Sequence, residues 1–120
     1  MRDPRERLRD ILEAIDAIER YARRGRDAFD RDELIRTWVV YHLRIIGEAA
    51  RMLPDDVRGR APDIPWSQVI GMRHILVHGY HAVDDDIVWD AVQHGLPPLQ
   101  RAVEGLLAEL GGAGDAADDA

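Results

Sequence analysis

The 120-residue chain contains no cysteine. That excludes disulfides and zinc–thiolate sites, and it suits a reducing cytoplasm, the expected location. Lysine is absent too: all 16 basic residues are arginine. No apolar run approaches the roughly 18 residues that a membrane span requires, and the N-terminus is charged rather than signal-like, so no membrane partner is expected. Positive charge is in short supply. With a formal net charge of −7 the chain does not read as a general nucleic-acid binder, and any chemistry on RNA needs a local cationic patch. The arginines are unevenly placed. Arg2, Arg5, Arg7, Arg9, Arg20, Arg23, Arg24 and Arg26 crowd the first quarter, whereas the tail adds only Asp115, Asp118 and Asp119. Sustained strand alternation and internal repeats are also missing.

What remains is helical periodicity. A hydrophobic fraction of 46% with 32% charged residues fits one compact domain. Leu8, Ile11, Leu12, Ile15 and Ile18 recur at three- and four-residue steps, which predicts a helix from about Pro4 to Arg24. A second helix is expected to start at Asp30, capped with Glu33, and to run to Leu53. Its apolar stripe is Leu34, Trp38, Tyr41, Ile45 and Ala49, widened by Val39, Leu43 and Ile46. Gly47 and the alanines beside it permit close helix packing. Residues 54–65 read as a proline-rich loop with one turn of helix. Trp66 opens a third helix, WSQVIGMRHILVHGY, and Asp84 caps a fourth, which Gly95, Pro97 and Pro98 must bend or break. The expected architecture is an all-α, up-and-down bundle of four to five helices over residues 1–110. Residues 111–120 form an acidic tail expected to be disordered.

The stretch MRHILVHGYH, Met72 to His81, concentrates the chemistry, and three readings of it compete. His74, His78 and His81 at i, i+4 and i+7 have the spacing of a metal-binding helix, but the glutamate of an HExxH motif is absent and Gly79 interrupts the helix. A second reading makes His74 a surface residue and His78 a hydrogen-bonded core histidine. In the third, Arg73, His78 and Tyr80 form R-x4-H-x-Y. An arginine fork matches phosphate oxygens and an imidazole trades protons near neutral pH, which together suffice for metal-free cleavage of RNA. At roughly 100° per residue, Arg73 and His78 lie about 140° apart on a regular helix. A shared phosphate therefore demands a long reach by Arg73, a deformed helix, or two copies meeting across a dimer axis.

The segments IPWSQVIGMRHILVHGYHAVDDDIVWDAV and IIGEAARMLP resemble the signature blocks of HepT-like proteins, a branch of the HEPN superfamily. LRDILEAIDAIERYARRG and GLPPLQRAVEGLL extend the resemblance to residues 5–110. It implies a HEPN-like dimeric bundle acting as a metal-independent ribonuclease toxin, with RNA as substrate and the motifs lining a cleft between protomers. The partner implied is an MntA-like nucleotidyltransferase antitoxin, which transfers AMP to the motif tyrosine. Carried onto this chain, Arg73 stabilises the phosphate, His78 is the acid–base residue and Tyr80 is the modification target. His74 stands where the commonest form has asparagine, in a supporting role. Glu48 is expected to approach the site and orient Arg73, or else to be a solvent-facing helix residue. No metal and no cofactor are expected. The alternative is a catalytically inactive module that partners a nucleotidyltransferase or binds nucleotide.

Overall fold

A computed structural model describes residues 3–75 and 84–119, with side chains of the last helix described as far as residue 111. Regular structure among these residues is entirely helical. Helix α1 (Pro4–Ala22) is capped by Asp3, whose carboxylate accepts from the Arg5 amide at 2.9 Å, with Pro4 in the first turn. Its inner face is Leu8, Ile11, Ile15 and Ile18, all fully buried as the periodicity predicts. Short α2 (Arg26–Arg31) follows, and then α3 (Glu33–Arg51), the helix that organises the rest.

Two expectations for α3 need correction. Its cap is Asp32, not Asp30: the Asp32 carboxylate accepts from the Leu34 amide at 2.9 Å, while Asp30 belongs to α2 and pairs with Arg26 at 2.8 Å. The cause is Phe29. Burying that ring against Trp89 ties α2 to the core, and the chain must break in extended geometry at Asp32 before α3 can start. The expected apolar stripe is also only partly inward: Val39, Leu43, Ile46 and Ala49 are buried as expected, but Leu34 and Tyr41 are not. Ile35, Val39, Leu43, Ile46 and Ala50 form the core face, whereas Leu34 is 79% and Tyr41 52% exposed. Helical period fixes which residues share a face, and α3 has two apolar faces, so period could not decide which one turns inward.

The loop after α3 carries the single turn expected of it, α4 (Asp55–Arg58). The Trp66 indole then donates to the carbonyls of Ala61 at 2.9 Å and Arg58 at 3.1 Å, pinning this loop to the start of α5 (Trp66–Gly71). Helix α5 passes into a 3-10 turn, Met72–His74. Helix α6 (Asp85–Asp90) is capped by Asp84 as expected, with the Asp86 amide donating at 2.9 Å. The prolines bend this helix rather than end it. A π segment, Ala91–Gly95, widens the backbone and runs directly into α7 (Leu96–Asp119), which carries Pro97 and Pro98 at its start. Helix α1 packs against both α3 and α7, and α5 with its 3-10 turn packs on another side of α3. Among the described residues no helix is long and apolar enough to cross a membrane.

Candidate active site

The site is built where the 3-10 turn meets α3, and a glycine makes the meeting possible. A Cβ on Gly47 would stand 2.5 Å from the Arg73 amide nitrogen and 3.0 Å from the carbonyls of Val69 and Ile70. Only a hydrogen fits there, so the backbone carrying Arg73 lies directly on α3. Ala49 and Ala50, both buried, continue the small-residue surface. The GEAA block is thus a cradle for the turn that presents the arginine.

Arg73 is one-third exposed, and its guanidinium approaches Glu48 with N···O 3.9 Å. That is a long ion pair near the surface, worth no more than about 1 kcal/mol. Glu48 has a tighter partner. Arg51, three residues on, donates to it at 2.6 Å from one terminal nitrogen and at 3.1 Å from Nε. The Arg51 hydrogen bonds hold the Glu48 carboxyl below the usual carboxylate range; partial burial opposes this, and the charges of Arg51, Arg73 and Arg44 add to it. Glu48 therefore remains an anion at neutral pH, lightly tethering Arg73 rather than neutralising it. Glu48 and Arg73 thus stand side by side, 25 residues apart in the chain.

One atom is out of balance. The Nε of Arg73 is buried and has no hydrogen-bond partner among the described residues. An orphaned donor of this kind costs about 1–3 kcal/mol. One terminal nitrogen, by contrast, faces Glu48, and a third of the side chain is exposed.

His74 is exposed on the same 3-10 turn. His78, Tyr80 and His81 lie outside the described residues, and so does the position of His78 relative to Arg73. Arg73 itself stands on the 3-10 turn, past the last α-helical residue, Gly71. Among the described residues no three His, Asp or Glu side chains stand together as a metal-binding group. Sequence reasoning missed Arg44 and Arg51. Their signal was present in RIIGEAAR, which sets two arginines and a glutamate at i, i+4 and i+7 on one helix.

The geometry sets an arginine beside a carboxylate on an all-α scaffold, and comparison with known proteins gives the class. The chain belongs to the ribonuclease HepT-like family, whose model matches residues 11–106 and so spans α3, the 3-10 turn and the whole R-x4-H-x-Y stretch. It is 38% identical over 104 residues to "Putative RNase MJ1380" of Methanocaldococcus jannaschii, covering 86% of this chain and 95% of that protein. It is 36% identical over 106 residues to "Probable ribonuclease HepT" of Thermococcus cleftensis, covering 88% and 96%. A third relative, "Putative RNase TTE0752" of Caldanaerobacter subterraneus, is 33% identical over 108 residues, covering 89% and 96%. No solved structure gives a significant match.

Proposed function

We propose that this protein is a metal-independent endoribonuclease and the toxin of a toxin–antitoxin pair, with an MntA-like nucleotidyltransferase as antitoxin. The observation that carries the reading is Arg73, an always-charged fork held one-third exposed beside Glu48 within a ribonuclease family match that spans the complete motif. In the reaction, the ribose 2′-oxygen attacks the adjacent phosphorus and the bond to the 5′-oxygen breaks. The products are a 2′,3′-cyclic phosphate and a free 5′-hydroxyl. His78 moves the proton, either from the 2′-hydroxyl or to the leaving oxygen, and Arg73 stabilises the added negative charge on the pentacoordinate phosphate.

One imidazole cannot be base and acid in the same step, and a homodimer supplies the second. An apolar strip supports such a dimer: Leu34 and Tyr41 on α3 and Met52 at its C-cap are exposed, and Trp38, packed on α1 along one edge, is 37% exposed beside them. Glu48 is on the same side, so a partner docked along this face would bring its own Arg73 surface close to this one.

The test is cleavage of RNA by purified protein freed of antitoxin and AMP. Wild type should cut with a metal chelator present, and His78→Ala should lose about 10²–10⁴-fold of the rate. Cleavage abolished by the chelator, or an undiminished His78→Ala rate, would overturn the mechanism. Protein that binds the nucleotidyltransferase yet cuts nothing would instead be the inactive binding module.

Regulation is assigned to Tyr80. Its phenolic oxygen would attack the α-phosphorus of ATP held by the antitoxin, releasing pyrophosphate and leaving AMP on the ring. Incubation with antitoxin and ATP should add one or more AMP masses to the peptide that contains Tyr80. A Tyr80→Phe protein that gains the same mass would move the acceptor elsewhere.

A further inference from the structure

The Arg73 surface holds more positive charge than the motif accounts for. Arg44, Glu48 and Arg51 stand at i, i+4 and i+7 on α3, so the three side chains share one strip of the helix. Gly47, beside Glu48, backs onto the Arg73 amide, which puts the 3-10 turn next to that strip. Arg51 holds Glu48 at 2.6 Å, Arg73 reaches it at 3.9 Å, and Arg44 stands one helical turn before it. Three guanidiniums around one carboxylate leave an excess of two positive charges, in a chain whose net charge is −7. Arg44 and Arg51 are both exposed.

This cluster supplies a cationic patch of the kind that chemistry on RNA requires, and Arg20 and Arg24 at the C-terminal end of α1 lie away from it. The Trp38 indole donates to the Ala17 carbonyl at 2.7 Å and its ring meets Tyr21 at 5.5 Å, which sets the last two turns of α1 beside the first half of α3. Trp38 is ten residues from Glu48, about 15 Å along the helix. Arg20 there pairs with Asp16 at 3.1 Å, and Arg24 lies over the Tyr21 ring at 5.0 Å.

We propose that Arg44 and Arg51 form a backbone-phosphate subsite beside Arg73, holding the RNA strand on the nucleotides next to the cleaved bond. Seven residues of α3 span about 10.5 Å, enough to engage successive phosphates of one strand. Glu48 has a definite part in this. Without RNA it relieves the repulsion among the three cations; with RNA, phosphates take over that role, and the long Arg73 contact is the first to yield. Arginine suits the task because its fork can hold two oxygens of one phosphate. The subsite rests on the ribonuclease reading, since it gives the strand its path to Arg73.

The experiment is binding of a single-stranded 2′-O-methyl oligonucleotide of mixed sequence, whose blocked 2′-oxygen prevents cleavage, at several salt concentrations. Each phosphate contact contributes about 0.7 to the slope of log affinity against log salt for a single strand. Arg44→Gln and Arg51→Gln should each lower that slope by about 0.7 and weaken binding about fivefold near 0.1 M salt. Arg51→Lys should keep the slope, and Arg20→Gln, which removes an equal charge from α1, should leave both slope and affinity unchanged. Slopes that stay at the wild-type value in both α3 variants would sink the subsite alone. An equal loss in Arg20→Gln would make the effect one of net charge, and would sink it too. Wild-type protein that binds no oligonucleotide would bring down the subsite and the ribonuclease reading together. All of these arginines are exposed, so an unchanged helical circular dichroism spectrum is expected for every variant.

Discussion

Gly47→Ala should destabilise the protein and cost about two orders of magnitude in cleavage rate. Both signs are unusual for the substitution. Replacing glycine by alanine inside a helix normally stabilises by about 0.5–1 kcal/mol, because alanine has less backbone freedom to lose. Here the new methyl would stand 2.5 Å from the Arg73 amide nitrogen, with two carbonyl oxygens at 3.0 Å. All three are backbone atoms, so no side chain can swing aside. Either α3 or the 3-10 turn must retreat, and overpacking of this kind costs about 1–3 kcal/mol. The retreat also moves Arg73, and a displacement near 1 Å at a reacting centre is worth about 10² in rate. Gly105→Ala is the control. Gly105 sits in α7 with nothing within 4 Å of an added Cβ, so alanine there should raise the melting temperature and leave cleavage unchanged. Thermal melts and rates for the two variants give the comparison. If Gly47→Ala melts higher than wild type and cleaves normally, the cradle described here is wrong.

Arg73→Lys should separate activity from stability. Lysine keeps the positive charge, but it is a point charge rather than a planar fork, and it cannot offer paired donors to a phosphate. Loss of one aimed donor at a developing oxyanion costs about 10²–10³ in rate. Stability should not follow. The buried Nε of Arg73 lacks a partner among the described residues, and lysine has a methylene near that place instead. Removing an orphaned donor relieves a cost, so the variant should melt at or slightly above the wild-type temperature. Only a residue whose placement serves function over packing gives that pair of results. A lysine variant that cleaves at the wild-type rate would remove Arg73 from the reaction. One that melts well below wild type would make Arg73 a structural residue.

Most of the fold was legible in the sequence. Helix α1 is buried along the face its periodicity marks, Trp66 and Asp84 open helices where expected, and the all-α class follows from the absence of strand alternation. The boundary at α2 was not legible, because Asp30 and Asp32 are equally good caps on paper. Burial of Phe29 selects between them. The inward face of α3 was hidden for a related reason. Leu34 and Tyr41 are as apolar as Leu43 and Ile46, and the face that is buried depends on which one α1 and α5 cover.

The site divides in the same way. Sequence by itself determined the chemistry available: a fixed cation in Arg73, a proton carrier in His78, a phenol in Tyr80 and a carboxylate in Glu48. It also determined that Gly47 permits close packing. Tertiary structure decided what that packing is for, because only the approach of the Val69–Arg73 backbone to α3 sets Arg73 beside Glu48 and beside the arginines of α3. Residue types carry charge and proton affinity wherever they stand in a chain. Distances between side chains 25 residues apart exist only once the backbones between them have packed.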